Sequence, residues 1–186
     1  MGDPVRRRAT YEDLLAVPEG KIAELIDGVL HTNPRPAAPH AVASSVLGME
    51  IGSPFSRGRG GPGGWVILDE PELHLHGDVL VPDLAGWRRE RMPQVPDAAA
   101  FELAPDWVGE VLSTSTAAVD RVKKMPIYAR EGVEHLWLVD PLLRTLEAYR
   151  RVEMQWLSLG TWSEGGDVRI EPFDAVAWPL DALWGR

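Results

Sequence analysis

The chain of 186 residues has no cysteine. This removes disulfides and thiolate chemistry and fits a reducing, cytoplasmic setting. No apolar run approaches the roughly 20 residues that cross a bilayer, so no membrane span is expected. The opening MGDPVRRRATYEDLL has basic residues with no apolar stretch behind them, unlike a secretory signal. Positive charge is also scarce: 19 Lys and Arg against 28 Asp and Glu give a net charge of −9. That argues against a general coat for nucleic acid, whose binding is mostly cationic attraction. Local basic faces remain open at Arg6, Arg7 and Arg8, at Arg57 and Arg59, at Arg88, Arg89 and Arg91, and at Arg121, Lys123 and Lys124. The glycine-rich GRGGPGG lacks the Lys-Ser ending of a phosphate loop, and no Gly-x-Ser-x-Gly elbow occurs.

What is present is a soluble globular composition, 45% hydrophobic and 25% charged, sized for one domain over residues 1–186. TYEDLLAVPEG predicts a short helix capped by Thr10. KIAELIDGVLHT predicts a hairpin turning at Asp27-Gly28. PHAVASSVLGMEIGS predicts a second helix with Val42, Val46, Met49 and Leu47 on its apolar side, followed by a Gly/Pro/Arg loop at PFSRGRGGPGGW. Two strands are expected at GWVILDEPELHL and DVLVPDLAGW, then a polar loop, then a strand over 106–112. STSTAAVDRVKKMPIYAREG reads as helix, with its cap among Thr114, Ser115 and Thr116, an interruption at Pro126 and a stop at Gly132. VEHLWLVD is a buried strand, and RTLEAYRR, EMQWLSLGTW and DVRIEPFDAVAW alternate like antiparallel strands. The expected fold is α/β, a sheet of mixed direction flanked by helices.

Two letters disturb this apolar pattern. In DWVGEVLS, Glu110 sits among Trp107, Val108, Val111 and Leu112, where an ionised carboxylate costs several kcal/mol, roughly, without a cation or donors to meet it. In VLVPDLAGW, Asp83 follows Pro82, a residue that strand ends tolerate better than centres. If the two strands are neighbours, the acids meet at one end of the sheet. Close carboxylates repel unless a divalent cation stands between them, and oxygen donors suit Mg²⁺ or Mn²⁺. The residues alone leave other readings open: Asp83 as a turn cap, Glu110 as the partner of an arginine. In the next helix Asp120, Lys124 and Tyr128 are four residues apart and share a face. Lys124 is then either an amine beside the metal or one half of a surface pair with Asp120, and helical phase does not separate it from Lys123.

Other features carry less. His74 and His76 have a zinc-like spacing without a third and fourth ligand. Trp107 and Trp137 read as core. Trp156, Trp162, Trp178 and Trp184 gather in the tail, where an exposed subset would suit self-association as a homodimer.

PDLAGW, then DWVGEVLSTST with Asp120, Lys124 and Tyr128 beyond it, then YAREGVEHLWLVDP resembles the Uma2 family, proteins classed as restriction endonucleases of the PD-(D/E)XK nuclease superfamily. AELIDGVL and PHAVASSVLGMEI match its opening, so the likeness spans roughly residues 10 to 150. The resemblance implies a restriction-endonuclease-like fold with extra antiparallel strands at the C-terminus. It also implies a Mg²⁺- or Mn²⁺-dependent endodeoxyribonuclease acting on nucleic acid, DNA in particular. Asp83 and Glu110 would be metal ligands, with the backbone carbonyl of Val111. Lys124 would stand for the lysine that the superfamily usually places two residues after the acid, where this chain has Leu112. Glu24 would be a further site member, and His40 is read as a capping or packing residue. The family's frequent Ser-Pro-Ser is Ser113-Thr114-Ser115 here. The alternative is a catalytically inactive module of the same fold that binds nucleic acid or a protein partner.

Overall fold

Asp27 and Gly28 take positive φ angles of 54° and 76°, as a tight hairpin turn requires. They fold Lys21–Ile26 (β1) onto Val29–Pro34 (β2) with Glu24 opposite His31. The computed structural model describes residues 7–163 and 165–185; Arg6 of the N-terminal arginine cluster lies outside them. Ahead of the hairpin, Tyr11–Leu15 (α1) is closed by a capping box between Thr10 and Asp13.

The two strands expected between residues 64 and 87 are each broken in two. They become Trp65–Asp69 (β3), Leu73–Leu75 (β4), Asp78–Leu80 (β5) and Leu84–Arg88 (β6). The breaks fall at Pro71 and Pro82, which have no N–H to give a ladder. The fragments then serve different sheets. β4 and β5 extend the hairpin into an antiparallel sheet of order β2-β1-β5-β4. β3 and β6 join Trp107–Val111 (β7), His135–Asp140 (β8), Thr145–Val152 (β9) and Gln155–Trp162 (β10) in a six-stranded sheet of order β10-β9-β8-β7-β6-β3. Within that sheet β7 and β8 run parallel and the other pairs antiparallel. A parallel pair needs a long crossover, and residues 117–130 supply it as helix.

Successive residues of β7 face opposite ways. Trp107 and Val111 join a core with Trp65, Trp137, Phe173 and Trp178, covered by Ala38–Ile51 (α2). The rings of Trp107 and Trp137 meet edge to face at 5.4 Å, and a Cβ on Gly109 would come within 2.8 Å of the Trp107 ring. Val108 and Leu112 point the other way, to Ile127, Tyr128, Leu136 and the inner residues of the smaller sheet, Ile26 and Leu80. Glu110 belongs to this second face.

Three further expectations are corrected. The buried face of α2 is Ala43, Leu47 and Ile51, while Val42 and Met49 are exposed; the helix is apolar on most sides, so composition does not orient it. Gly52–Ser56 continues α2 as a π turn that buries Phe55, so the loop starts later, at Arg57. In the tail, Asp167–Val168 (β11) pairs with Trp178–Pro179 (β12) and turns fill the space between. Pro172 interrupts that run, and Ile170 and Phe173 fold inward to the core. Trp178 is buried, and Trp156, Trp162 and Trp184 are half-buried with rings packed on the cores. The tail therefore offers no exposed tryptophan surface for self-association among the described residues.

Candidate active site

β6 runs antiparallel to β7 with Leu84 opposite Gly109, so Asp83 and Glu110 emerge at the same end of adjacent strands. Asp83 is pinned there: its Oδ2 accepts the Val111 N–H at 2.7 Å, and its Oδ1 lies 3.2 Å from His40 Nε2. Glu24 arrives from the other sheet and accepts the Val81 N–H at 2.9 Å. The crossover brings the amine. It consists of Ala117–Val119 (α3), a π turn over Asp120–Lys124, and Met125–Arg130 (α4). In the π turn the Met125 N–H reaches back to the Asp120 carbonyl, a wider loop that accommodates Pro126 immediately after it. Thr116 precedes the first helical residue without a side-chain cap bond to the helix; its hydroxyl accepts the Ser113 N–H instead.

Lys124 Nζ stands between three carboxylates, 2.8 Å from Glu24, 3.2 Å from Glu110 and 3.3 Å from Asp120. The Tyr128 hydroxyl donates to Glu110 at 2.6 Å. Asp120, Lys124 and Tyr128 thus share a face, and it is a buried one: Glu24, Glu110, Asp120 and Lys124 are each 4% exposed or less. Lys123 points elsewhere, its Nζ 3.5 Å from His31. Glu24, Asp83, Glu110, Val111, Asp120 and Lys124 all border one cleft of about 220 Å³, with Arg35, His40 and the hydroxyl-bearing run Ser113–Thr116 at its rim.

One ammonium does not balance this cluster. Burial works against the Lys124 charge, but Glu110, Glu24 and Asp120 outweigh it and hold the lysine pKa well above its ordinary value. Burial pushes the Glu110 carboxyl well up; Lys124 opposes the rise, and Asp120, Asp83 and Glu24 add to it. Asp120 is raised by burial too, against Lys124. Of these carboxyls Glu110 is the one that burial and its acidic neighbours raise furthest above the ordinary carboxylate range. His40 is lowered by burial, yet Asp83, the Val111 carbonyl and Asp120 leave it raised on balance.

Sequence reasoning left out Asp120 and Tyr128 as site members, although their four-residue spacing from Lys124 was visible. His40 is not the cap of α2, which is Ala37; it reaches Asp83 instead. His74 and His76 turn to separate acids, Glu72 and Glu131. Among the described residues no group of three or more His, Asp or Glu is gathered as a metal cage.

The family model Uma2, described as "Putative restriction endonuclease", matches residues 8–181. The chain belongs to the Uma2 family. A crystal structure described as a "putative nuclease belonging to DUF820" from Anabaena variabilis superposes on this Uma2 protein with a TM-score of 0.76 at 24% identity, over 95% of this chain and 97% of that one. That likeness is one of fold. No curated protein matches the chain. As in the sequence reading, no helix among the described residues is long and apolar enough to cross a membrane.

Proposed function

We propose that this Uma2 protein is a Mg²⁺- or Mn²⁺-dependent endonuclease that hydrolyses phosphodiester bonds of DNA at the acid pocket. The observation that carries the reading is the charge excess: Glu24, Asp83, Glu110 and Asp120 border one cleft with Lys124 as their buried ammonium. Even with His40 protonated, full ionisation leaves two negative charges uncompensated, which a hard divalent cation balances. The donor chemistry fits such an ion, since Asp83, Glu110 and the Val111 carbonyl offer only oxygen. When bound, the ion supplies neutralisation of phosphate oxygens and a lowered pKa for water. Lys124, held by Glu24 and Asp120, orients the attacking water or meets the charge that grows on the phosphate. Glu24 fixes that ammonium from the second sheet and assists a water network. Tyr128 keeps Glu110 aimed by its hydroxyl bond. The reading includes a homodimer, supported by exposed Val152, Met154 and Leu157 on the β9–β10 hairpin and checked by sedimentation.

The test is incubation of plasmid and single-stranded DNA with Mg²⁺ or Mn²⁺, comparing the native chain with Glu110→Ala. Nicked or shortened products are expected from the native chain alone; cleavage that persists in the variant places the activity elsewhere. Titration calorimetry with Mn²⁺ adds a separate readout. No heat at about millimolar ion, the weak end of protein sites for such cations, favours the non-catalytic module.

A further inference from the structure

The acid pocket adjoins a second cleft of about 750 Å³, and Pro36, His40 and Asp83 line both. One wall of the second cleft is a face of α2 on which Ala41, Ser44, Ser45 and Gly48 recur at helical spacing. Gly48 sits close against Asp69: a Cβ there would stand 3.3 Å from the Asp69 carboxylate. The common lining sets the two clefts end to end beside the ends of β6 and β7, and we treat them as one groove.

The arginines give the groove a direction. Most guanidiniums in this acidic chain already have a partner. Arg7, Arg91, Arg121, Arg130 and Arg150 are in ion pairs. Arg88 lies over the Trp65 ring, and Arg89, Arg151 and Arg169 donate to backbone carbonyls. Arg57 and Arg59 border one end of the groove and Arg35 the other. All three are exposed, and among the described residues none has a carboxylate or carbonyl partner. Arg8 and Arg144 are also without one, but they line neither cleft. Unpaired guanidiniums at both ends of a groove with an acid site between them suit an extended polyanion, because the planar fork grips phosphate oxygens. The larger cleft has the size of a small-ligand site. It admits one strand and is too small to enclose a duplex. Asp69 and Glu70 also line it; they repel phosphates and accept hydrogen bonds from base amino groups, so the phosphates are placed at Arg57 and Arg59.

We propose that this groove is the track of a single nucleic-acid strand. Arg35 holds a phosphate on one side of the bond addressed by the acid pocket, and Arg57 and Arg59 hold phosphates on the other. The inference rests on the nuclease reading and deepens it. It is tested with the full chain carrying Glu110→Gln, in Mg²⁺, by fluorescence anisotropy of a labelled single-stranded DNA of about twelve nucleotides and of its duplex, over a salt series. Single strand is expected to bind tighter than duplex. Arg57→Ala with Arg59→Ala lowers the slope of log affinity against log salt by about 1.4, and Arg35→Ala by about 0.7, on roughly 0.7 per phosphate contact for single strands. Arg144→Ala leaves the slope unchanged. Equal losses in Arg144→Ala and the groove variants, unchanged slopes in the groove variants, or preference for duplex overturns the track. Cleavage by the otherwise native chain is read in parallel, where the groove variants raise KM and spare kcat. Absence of all cleavage with the expected binding pattern overturns the nuclease reading and leaves the track standing.

Discussion

Two buried acids stand at the two ends of β7, and they are treated differently. Asp106, just before the strand, is fully matched: one oxygen accepts the Arg88 N–H at 2.7 Å and the other accepts from Arg91 at 2.7 Å. Glu110, near the far end, shares one ammonium with two other carboxylates. Asp106 closes a structural account, with one charge, one counter-charge and each oxygen occupied. Glu110 is left in a cluster that holds more negative charge than the protein neutralises. The same strand therefore carries one buried acid whose charge the fold matches and one whose cluster is left with an excess of carboxylates.

The contrast can be broken by experiment. The largest effect expected is on activity: Glu110→Ala lowers kcat by about 10²- to 10³-fold, the usual cost of removing a group that stabilises transition-state charge, and Asp106→Ala in the same nicking assay loses activity only as far as it loses folded protein. Next, Mn²⁺ raises the Tm, by the equivalent of about 2.7 kcal/mol at a hundredfold excess over Kd. Burial raises the Glu110 carboxyl well above its ordinary value, so ion binding would compete with protons there and the gain is expected to grow as pH rises; a gain independent of pH would detach Glu110 from the ion. Third, Asp106→Ala costs about 1–3 kcal/mol by orphaning the Arg88 N–H and freeing a half-exposed Arg91, whereas Glu110→Gln holds or raises the Tm. Urea melts of both variants test this, and equal losses would erase the distinction.

The smallest effect concerns His135, which opens β8 beside Asp106 in space. Burial depresses its pKa against the raising influence of Glu171. A histidine whose folded pKa is lowered contributes stability that is complete above its unfolded value of 6.5. That contribution is lost as pH falls from there toward the folded value. His135→Gln flattens the Tm-versus-pH curve on the acid side, while a curve unchanged by the substitution would assign the acid sensitivity to other groups.

Much of the frame was legible because local chemistry and tertiary structure agree. Asp27-Gly28 specified its hairpin, Thr10 its helix, and the apolar run around Glu110 its central strand. The sheet assignment was not legible. Pro71 and Pro82 announce breaks, but no local signal says that β4 and β5 leave for another sheet while β3 and β6 stay. The neighbourhood of Asp83 and Glu110 followed from treating both as acids at strand ends. The choice between Lys123 and Lys124 did not follow from sequence, because the π turn before Pro126 departs from the regular helical period on which such a choice depends. Asp120 was undervalued because a polar residue on a helix reads as solvated until a second element covers it, and His40, read as a capping or packing residue, because its partner Asp83 is distant in sequence.

Glu24 belongs to the first hairpin, and Lys124 with Tyr128 to the crossover that follows β7. The pocket thus draws on an early and a late portion of the polypeptide, and its charges come to rest only after both have docked. A chain extending only through β7 would carry Glu24, Asp83 and Glu110 without the amine that organises them. The proposed site is therefore complete only once the crossover has docked.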